Sequence, residues 1–220
     1  MSPRPDRKKP REPLSRGGIA RAALQLIDAE GLEQLSMRRL GAHLGVEAMA
    51  LYHHFPSKAE LLDGVLDCLL DETDPALDGD DAPLLRLRRC FDALRGVAIH
   101  HPRAFWVLAS RRFRTERSLA FYERLLQAFA DAGFDAQHTA RYFRLLAGFV
   151  VGAGIAEVGS RAMQGAATPI LLERYADPER HPRITEVVPH LRVARLDDIF
   201  SFGLDTLFAA MEKDLRRMRR

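Results

Sequence analysis

Hydrophobic residues recur at three- and four-residue intervals along most of the chain, a spacing that places them on one face of an α-helix. No segment alternates apolar and polar residues over a useful length, so no β-sheet is expected. Serines before these stripes and glycines or prolines after them mark helix ends. The pattern predicts an all-α fold with an N-terminal three-helix unit of the helix-turn-helix type and a larger helical part behind it.

The most informative pattern lies in residues 36–58. Ser36 is a good N-cap for a short amphipathic helix, and Gly45 follows its last apolar residue, where it supplies left-handed backbone geometry. Val46 and Leu51 then restart a buried face in a second short helix. Two short helices joined by about three residues form the motif whose second helix enters the DNA major groove.

The run LSMRRLGAHLGVEAMALYHHFPSKAELL, residues 35–62, resembles the DNA-binding domain of the tetracycline repressor (TetR) family of bacterial regulators. The shared signature is LGV, then LY, a turn, and a lysine followed by LL. The last helix, FSFGLDTLFAAMEKDL, also resembles that of the tetracycline repressor branch. The resemblance implies an all-helical homodimer that binds a palindromic operator on double-stranded DNA and releases it when a small-molecule effector enters the C-terminal domain.

The second helix of the motif is expected to present its outward side chains to DNA. Alanine and methionine there offer apolar contact, for instance to a thymine methyl group. By the resemblance, Arg38 reaches a base edge, and Tyr52, His54 and Lys58 hold phosphates. His53 and His54 point about 100° apart on a helix, which suits no shared metal ion, and no metal site is expected. The DNA-binding candidates are Arg38, Ala48, Met49, Ala50, Tyr52, His53, His54 and Lys58.

Periodicity and composition divide the chain into three parts. Residues 1–14 are basic and proline-rich and are expected to be a disordered tail; 15–60 form the helix-turn-helix DNA-binding domain; 61–220 form the effector-binding and dimerisation domain. The net charge is +3, but the tail carries five basic residues within its first eleven positions, whereas 63–81 holds eight acidic residues and no basic one. This asymmetry indicates a polyanion partner on one side.

Composition also indicates the cellular compartment in which the protein is expected. Two cysteines are too few for a disulfide framework, and the first apolar run follows a charged tail rather than opening the chain, so a cytoplasmic protein is expected. The longest near-continuous apolar run, Leu145–Ala156, is shorter than the roughly 20 residues that cross a bilayer, so it predicts a buried helix and no membrane partner.

Two further segments gave specific expectations. In the fourth helix, Asp63, Asp67 and Asp71 recur every four residues and predict a solvated acidic face, because a hard-cation site needs further ligands. Residues 73–83 are typical of a linker, and 163–190 predict a long connection with a helical turn near 170–175.

Aromatic and aliphatic residues of the larger part are candidates for an effector pocket, although such residues at helical spacing are more often plain core. By the resemblance, two positions that hold drug-binding histidines in the tetracycline repressor align with Asp74 and Leu108, which argues against a magnesium-tetracycline ligand. The pocket candidates are Phe91, Leu94, Phe105, Trp106, Leu108, Phe129, Tyr142, Phe149 and Glu157.

Two long helices, 136–162 and 196–217, carry wide apolar stripes. Glycines cost about 1 kcal/mol each in a helix interior, so their recurrence in the first helix indicates close approach of another helix. Pairing of both helices with a second copy is expected from the resemblance, while internal packing explains the stripes equally well. The dimer-interface candidates are Gly148, Gly152, Ile199, Gly203 and Leu207.

Other functional classes have weaker support. The segment VGAGIAEVG resembles a dinucleotide-binding loop but has Glu157 where the third glycine belongs and lies within a helix, so neither a cofactor nor an enzyme activity is expected. A DNA-binding regulator without an effector, controlled by a protein partner, remains the main alternative.

Overall fold

The computed structural model describes residues 14–111, 113–164, 177–187, 190 and 196–219. Within these ranges the chain forms ten α-helices and no β-strand, which confirms the predicted all-α class. The helices are α1 (Arg16–Glu30), α2 (Met37–Leu44), α3 (Ala48–Tyr52), α4 (Lys58–Thr73), α5 (Pro83–His100), α6 (Phe105–Ser110), α7 (Glu116–Ala132), α8 (Ala136–Gln164), α9 (Pro182–Val187) and α10 (Leu196–Met218).

Local capping chemistry sets the ends of the first helices. Ser15, Ser36 and Ser57 precede α1, α2 and α4, and each side-chain oxygen accepts a hydrogen bond of 3.1–3.2 Å from the backbone N–H three residues later. Gly45 closes α2 in the left-handed conformation, with φ 65° and ψ 38°. The predicted helix-turn-helix is therefore present with its predicted ends.

Helices α1 to α4 share one apolar core. We call the unit formed by α1, α2 and α3 the reading head. Leu40, Leu51 and Phe55 are fully buried in the shared core. The Phe55 ring presses on α4 at Gly64, where an added Cβ would stand 2.9 Å from the ring. Helix α4 is thus both the support of the head and the first helix of the larger part.

In the larger part, α5 packs against α7 and α8, and α8 packs against α10. Two glycines permit the closest contacts. A Cβ at Gly154 of α8 would lie 2.2 Å from the Phe105 ring, and one at Gly203 of α10 would lie 2.4 Å from the Phe149 ring. These side chains pack only because the helix surface at both glycines is bare.

The segment predicted as a linker, 73–83, is partly structured. Residues Asp74–Leu77 form a 3-10 turn in which both Asp74 and Leu77 are buried. Asp74 forms ion pairs with Arg117 at 2.8 Å and Arg124 at 2.6 Å. The linker prediction is wrong here because those arginines, more than 40 residues away, neutralise a carboxylate that composition alone assigns to solvent.

The solvated acidic face predicted on α4 is wrong for Asp63 and Asp67, which are half-buried, whereas Asp71 is exposed. Asp63 accepts a hydrogen bond from Arg111 Nε at 2.7 Å, and Asp71 pairs with Arg117. Asp67 between them accepts a hydrogen bond of 2.5 Å from the Thr115 hydroxyl. The stripe is therefore a polar seam against the segment that leads into α7.

In the described part of the connection between α8 and α10, residues 177–187 and 190, the structure has a helix that was not predicted, α9, whose residues are exposed. The helical turn predicted at 170–175 and the basic tail up to residue 13 lie outside the described residues.

Helix α8 is unusually apolar for its degree of burial. By length and composition alone, Ala136–Gly159 is long and apolar enough to cross a bilayer, so the sequence-based length argument against a span was wrong. Such a helix is weak evidence for a membrane, because core helices meet the same criteria. However, only 22% of its most apolar stretch is buried within this chain. Much of its apolar surface thus lacks cover from the described residues.

Candidate nucleic-acid interface and internal cavities

The turn between α2 and α3 depends on a buried glycine that the sequence analysis did not single out. The Val46 N–H donates to the Gly41 carbonyl at 2.9 Å, and a Cβ on Gly41 would stand 2.8 Å from the Val46 carbonyl oxygen. This contact is between backbone atoms, which cannot rotate away. Gly41 therefore sets how closely α3 crosses α2, and its place one turn before Gly45 was the available signal.

Helix α3 buries one residue and presents the rest. Leu51 is fully buried, whereas Met49 is 68% exposed and Tyr52 41% exposed. Ala48 and Ala50 are half-buried on either side of Met49. The outward surface of α3 is therefore small and mostly apolar, with the tyrosine hydroxyl as its polar end.

The remaining interface candidates surround α3. Arg38, in the first turn of α2, and Lys58, the first residue of α4, are exposed. His53 is exposed and His54 half-buried in the turn after α3. All eight sequence-predicted candidates thus lie in the head or, for Lys58, directly after it at the start of α4, and all retain accessible surface, although their contacts with DNA stay a prediction.

A second residue missed at the sequence level, Arg16, supports the end of α3. Its guanidinium donates a hydrogen bond to the backbone carbonyl of His54 and lies over the Phe55 ring, 4.2 Å from the ring centroid. Helix α3 has only five residues, so its last carbonyls have few partners of their own. Arg16 thereby joins the start of α1 to the turn that carries both histidines.

This geometry is that of a helix-turn-helix whose second helix is free to enter a major groove. Residues 19–65 match the family of bacterial regulatory proteins of the tetR type, and residues 77–215 match the tetracyclin repressor-like C-terminal domain. The chain belongs to the TetR family. It is therefore a DNA-binding transcriptional regulator with a TetR-like helical C-terminal domain.

Individual TetR-family relatives agree with this assignment. The chain is 33% identical over 145 residues to the HTH-type transcriptional repressor DrrR1 of Streptomyces coeruleorubidus, a match that covers 66% of this chain and 54%, or about half, of that relative. It is 31% identical to the class C tetracycline repressor protein of Escherichia coli over 68% of each chain. A possible TetR family transcriptional regulator from Streptomyces coelicolor A3(2) shares the fold with a TM-score of 0.77, 27% identity and coverage of 90% and 99% of the two chains.

The TetR-like C-terminal domain encloses an aromatic cavity of about 100 Å³. Four predicted pocket residues line it: Phe91, Leu94, Phe105 and Leu108. Three others do not. Trp106 is 56% exposed on the outer side of α6, Phe129 is fully buried elsewhere, and the Tyr142 hydroxyl donates to Asp214 at 2.7 Å. The rest of the lining is formed by Phe113, Phe121, Leu125, Phe143, Ala147, Val150 and Val151.

A second cavity, of about 300 Å³, lies between α5, α8 and α10 and contains the other two pocket candidates, Phe149 and Glu157. Arg95 is 8% exposed there and donates a 2.9 Å hydrogen bond to Glu157. Burial alone would lower the pKa of Arg95, but its hydrogen bonds to Asp197 and Glu157 outweigh that effect and raise it. The negative charge of Glu157 is therefore balanced by Arg95 of the same chain.

The predicted dimer residues separate into two groups. Gly148, Gly152 and Ile199 line the second cavity and are exposed at the surface, and no described atom stands within 4 Å of a Cβ built on either glycine. Gly203, in contrast, faces Phe149 of its own chain, and Leu207 is half-buried against the chain's own core. Both residues therefore contact their own chain but are only half-buried, and their intersubunit position stays a prediction.

The exposed surface around Gly148, Gly152 and Ile199 is an apolar stripe with three- and four-residue spacing, hereafter the α8–α10 face. It includes large exposed side chains, among them Phe202 at 74% exposure. Its residues are Leu145, Gly148, Gly152, Ile155, Ala156, Ile199 and Phe202.

Proposed function

We propose that this TetR-family regulator is a repressor that binds a palindromic operator as a homodimer and is released by a small-molecule effector. The outward presentation of Met49 and Tyr52 from α3, with Leu51 buried behind them, carries the DNA-binding part. We keep the division proposed from the sequence: a tail at 1–14, a DNA-binding domain at 15–60, an effector and dimerisation domain at 61–220, and a cytoplasmic location.

In this proposal the head reads DNA with few polar groups. Met49, with Ala48 and Ala50 beside it, contacts apolar base edges such as a thymine methyl group, and Arg38 binds a guanine edge in bidentate fashion. Tyr52, His53, His54 and Lys58 contact the phosphate backbone, which fixes the register of the head but reads no sequence.

The homodimer is supported by the α8–α10 face. An apolar stripe that extends over two helices is unusual on the surface of a monomer. The same stripe of a second copy would cover it. A membrane suits the surface less well, because Arg141 and Arg144 are exposed on the same helix. Self-pairing of α8 and α10 gives a four-helix interface.

The effector is proposed to enter the aromatic cavity, whose lining is apolar. Asp74 is tied up by two arginines and Leu108 is aliphatic, so the two positions aligned with drug-binding histidines supply no imidazole. We therefore propose an apolar effector without a metal ion.

One observation favours the alternative of an effector-independent regulator controlled by a protein partner. A cavity of about 100 Å³ is smaller than the roughly 300–1,000 Å³ of ordinary ligand sites. Thermal-shift screening of apolar metabolites and drugs separates the two. A compound that raises Tm and weakens operator binding supports the effector; a binder that leaves operator affinity unchanged removes the coupling.

Selection of DNA from a random pool by the purified full chain tests the DNA-binding proposal. The expected product is a palindrome whose half-sites are about one helical turn apart or a multiple of it. The matched control is Arg180→Ala, an exposed arginine outside the head, which should select the same sequence. Failure of the wild-type protein to enrich any sequence would overturn the proposal.

A further inference from the structure

His101 lies at the corner between α5 and α6, where three parts of the chain meet. Its Nδ1 is 2.7 Å from Asp28 Oδ2 of α1, and its Nε2 is 3.0 Å from Glu72 Oε2 near the end of α4. The imidazole is largely buried, with 17% of the side chain exposed. We call His101, Asp28 and Glu72 the His101 clamp, because one side chain joins the far ends of two helices to this corner.

The arrangement requires a charged imidazole. Neutral histidine has one N–H and one lone pair, so it would turn a lone pair towards one of the two carboxylates, whereas the imidazolium donates to both. Asp28 Oδ1 is also buried and has no hydrogen-bond partner among the described residues. Burial alone would lower the pKa of His101, but the hydrogen bonds and charges of Asp28 and Glu72 outweigh it and raise that pKa.

Arg103 is a further charged group at this corner. It donates to the backbone carbonyl of Asp28 at 3.2 Å and to that of Ala29. These are carbonyls of the last turn of α1, which a cation stabilises. The side chains that face the imidazole are therefore Asp28 from α1 and Glu72 from α4, with Arg103 beside it, while neighbouring His100 is exposed.

The corner is also connected to the aromatic cavity. The Phe105 N–H donates to the His101 carbonyl at 2.8 Å, and the Phe105 ring lines the cavity while resting on Gly154. A ligand that displaces this ring therefore acts on a residue hydrogen-bonded to the clamp.

We propose that protonated His101 is a positioning residue for the reading head: it holds α1 and α4 in the operator-binding arrangement, and release of the operator opens the clamp. This rests on the proposed DNA-binding function. The position of the reading head then depends on the protonation of His101 as well as on the apolar core of the head.

The sign of the pH dependence follows from the direction of the shift. A histidine whose pKa is raised by the folded contacts stabilises them fully below its ordinary pKa of 6.5, and the stabilisation is lost as pH rises through the raised value. If the clamp is closed while the protein is bound to the operator and open after release, operator affinity falls over the same pH range. Each unit of pKa difference between the two states changes affinity about tenfold.

The experiment compares the full-length wild type with H101Q, with H100Q as a matched control at the adjacent exposed histidine, and with E72Q. Thermal unfolding is measured without DNA, and operator Kd is measured on the sequence selected from the random pool, both from about pH 6 to about pH 9. Every ionisable group outside positions 72, 100 and 101 is shared by all variants, so differences between variants report the clamp.

The Tm advantage of wild type over H101Q should shrink as pH rises, H100Q should follow wild type, and E72Q should shift the transition to lower pH. Operator Kd should rise with pH more steeply for wild type than for H101Q. A Tm difference independent of pH overturns the clamp even if no DNA is bound. If wild type and H101Q bind DNA normally and their operator Kd changes with pH in the same way, the role of His101 in positioning the head is overturned. If the wild-type protein selects no sequence from the random pool, the DNA-binding function is overturned instead.

Discussion

At the scale of single residues, Arg38 and Lys58 are expected to differ in what they contribute to DNA binding. Arg38→Ala should weaken operator binding by about 1–3 kcal/mol and relax preference at one base pair, because a base edge loses its donor. Lys58→Ala should weaken all sequences similarly and reduce the slope of log affinity against log salt by about one. Competition binding over a range of salt measures both; equal loss without change of preference for Arg38→Ala would assign that residue to the backbone.

Arg16 is expected to act by support rather than by contact with phosphate. Arg16→Ala removes the cation over Phe55 and the donor to the His54 carbonyl, a loss of about 0.5–1 kcal/mol for the cation–π contact, and so should lower both stability and operator affinity. Arg21→Ala, an exposed arginine further along α1, is the control.

The salt dependence decides between the two roles of Arg16. A supporting residue leaves the salt slope unchanged, whereas a phosphate contact would reduce it by about one. A reduced slope in Arg16→Ala would therefore contradict the supporting role.

Single residues also show what the sequence could and could not predict. The caps at Ser15, Ser36 and Ser57 were predictable because their hydrogen bonds reach only three residues along the chain. Asp63 was assigned to solvent because its partner, Arg111, is 48 residues away and no local pattern connects them.

At the scale of helices, the crossing of α2 and α3 should depend on Gly41. Gly41→Ala places a methyl group 2.8 Å from the Val46 carbonyl oxygen and should lower the free energy of unfolding by about 1–3 kcal/mol. Gly17→Ala in α1, where no described atom lies within 4 Å of the added Cβ, should raise it by about 0.4–1 kcal/mol. Urea unfolding measures both; similar stability in the two variants would show that the turn relaxes around a side chain.

The side of each helix that faces the core was harder to predict than where the helix begins and ends. Helix α8 was located from its apolar residues, but it is apolar nearly all round, so periodicity could not say which side met the chain's own core. The contacts at Gly154 and Gly203 therefore went unnoticed or were assigned to a second copy. The aromatic cavity shows the same limit: Phe105 and Trp106 are adjacent in sequence and point about 100° apart on α6, so that Phe105 lines the cavity and Trp106 is exposed.

At the scale of the whole molecule, the α8–α10 face should control assembly. Phe202→Glu places a carboxylate in the proposed apolar interface and should convert the proposed dimer to monomer at micromolar concentration and weaken operator binding. Leu119→Glu, at a comparably exposed leucine of α7, should leave the mass unchanged. Sedimentation equilibrium measures the masses; a Phe202→Glu protein that remains dimeric would place the interface elsewhere.

The size of the aromatic cavity has a kinetic consequence. If the proposed effector is drug-sized, it cannot occupy about 100 Å³ until rings such as Phe105 and Phe143 move aside, and the form that binds it is then expected to be a minor population of the free protein. Capture of such a compound should then be slow compared with diffusion and should level off at high concentration, at the rate at which the rings part.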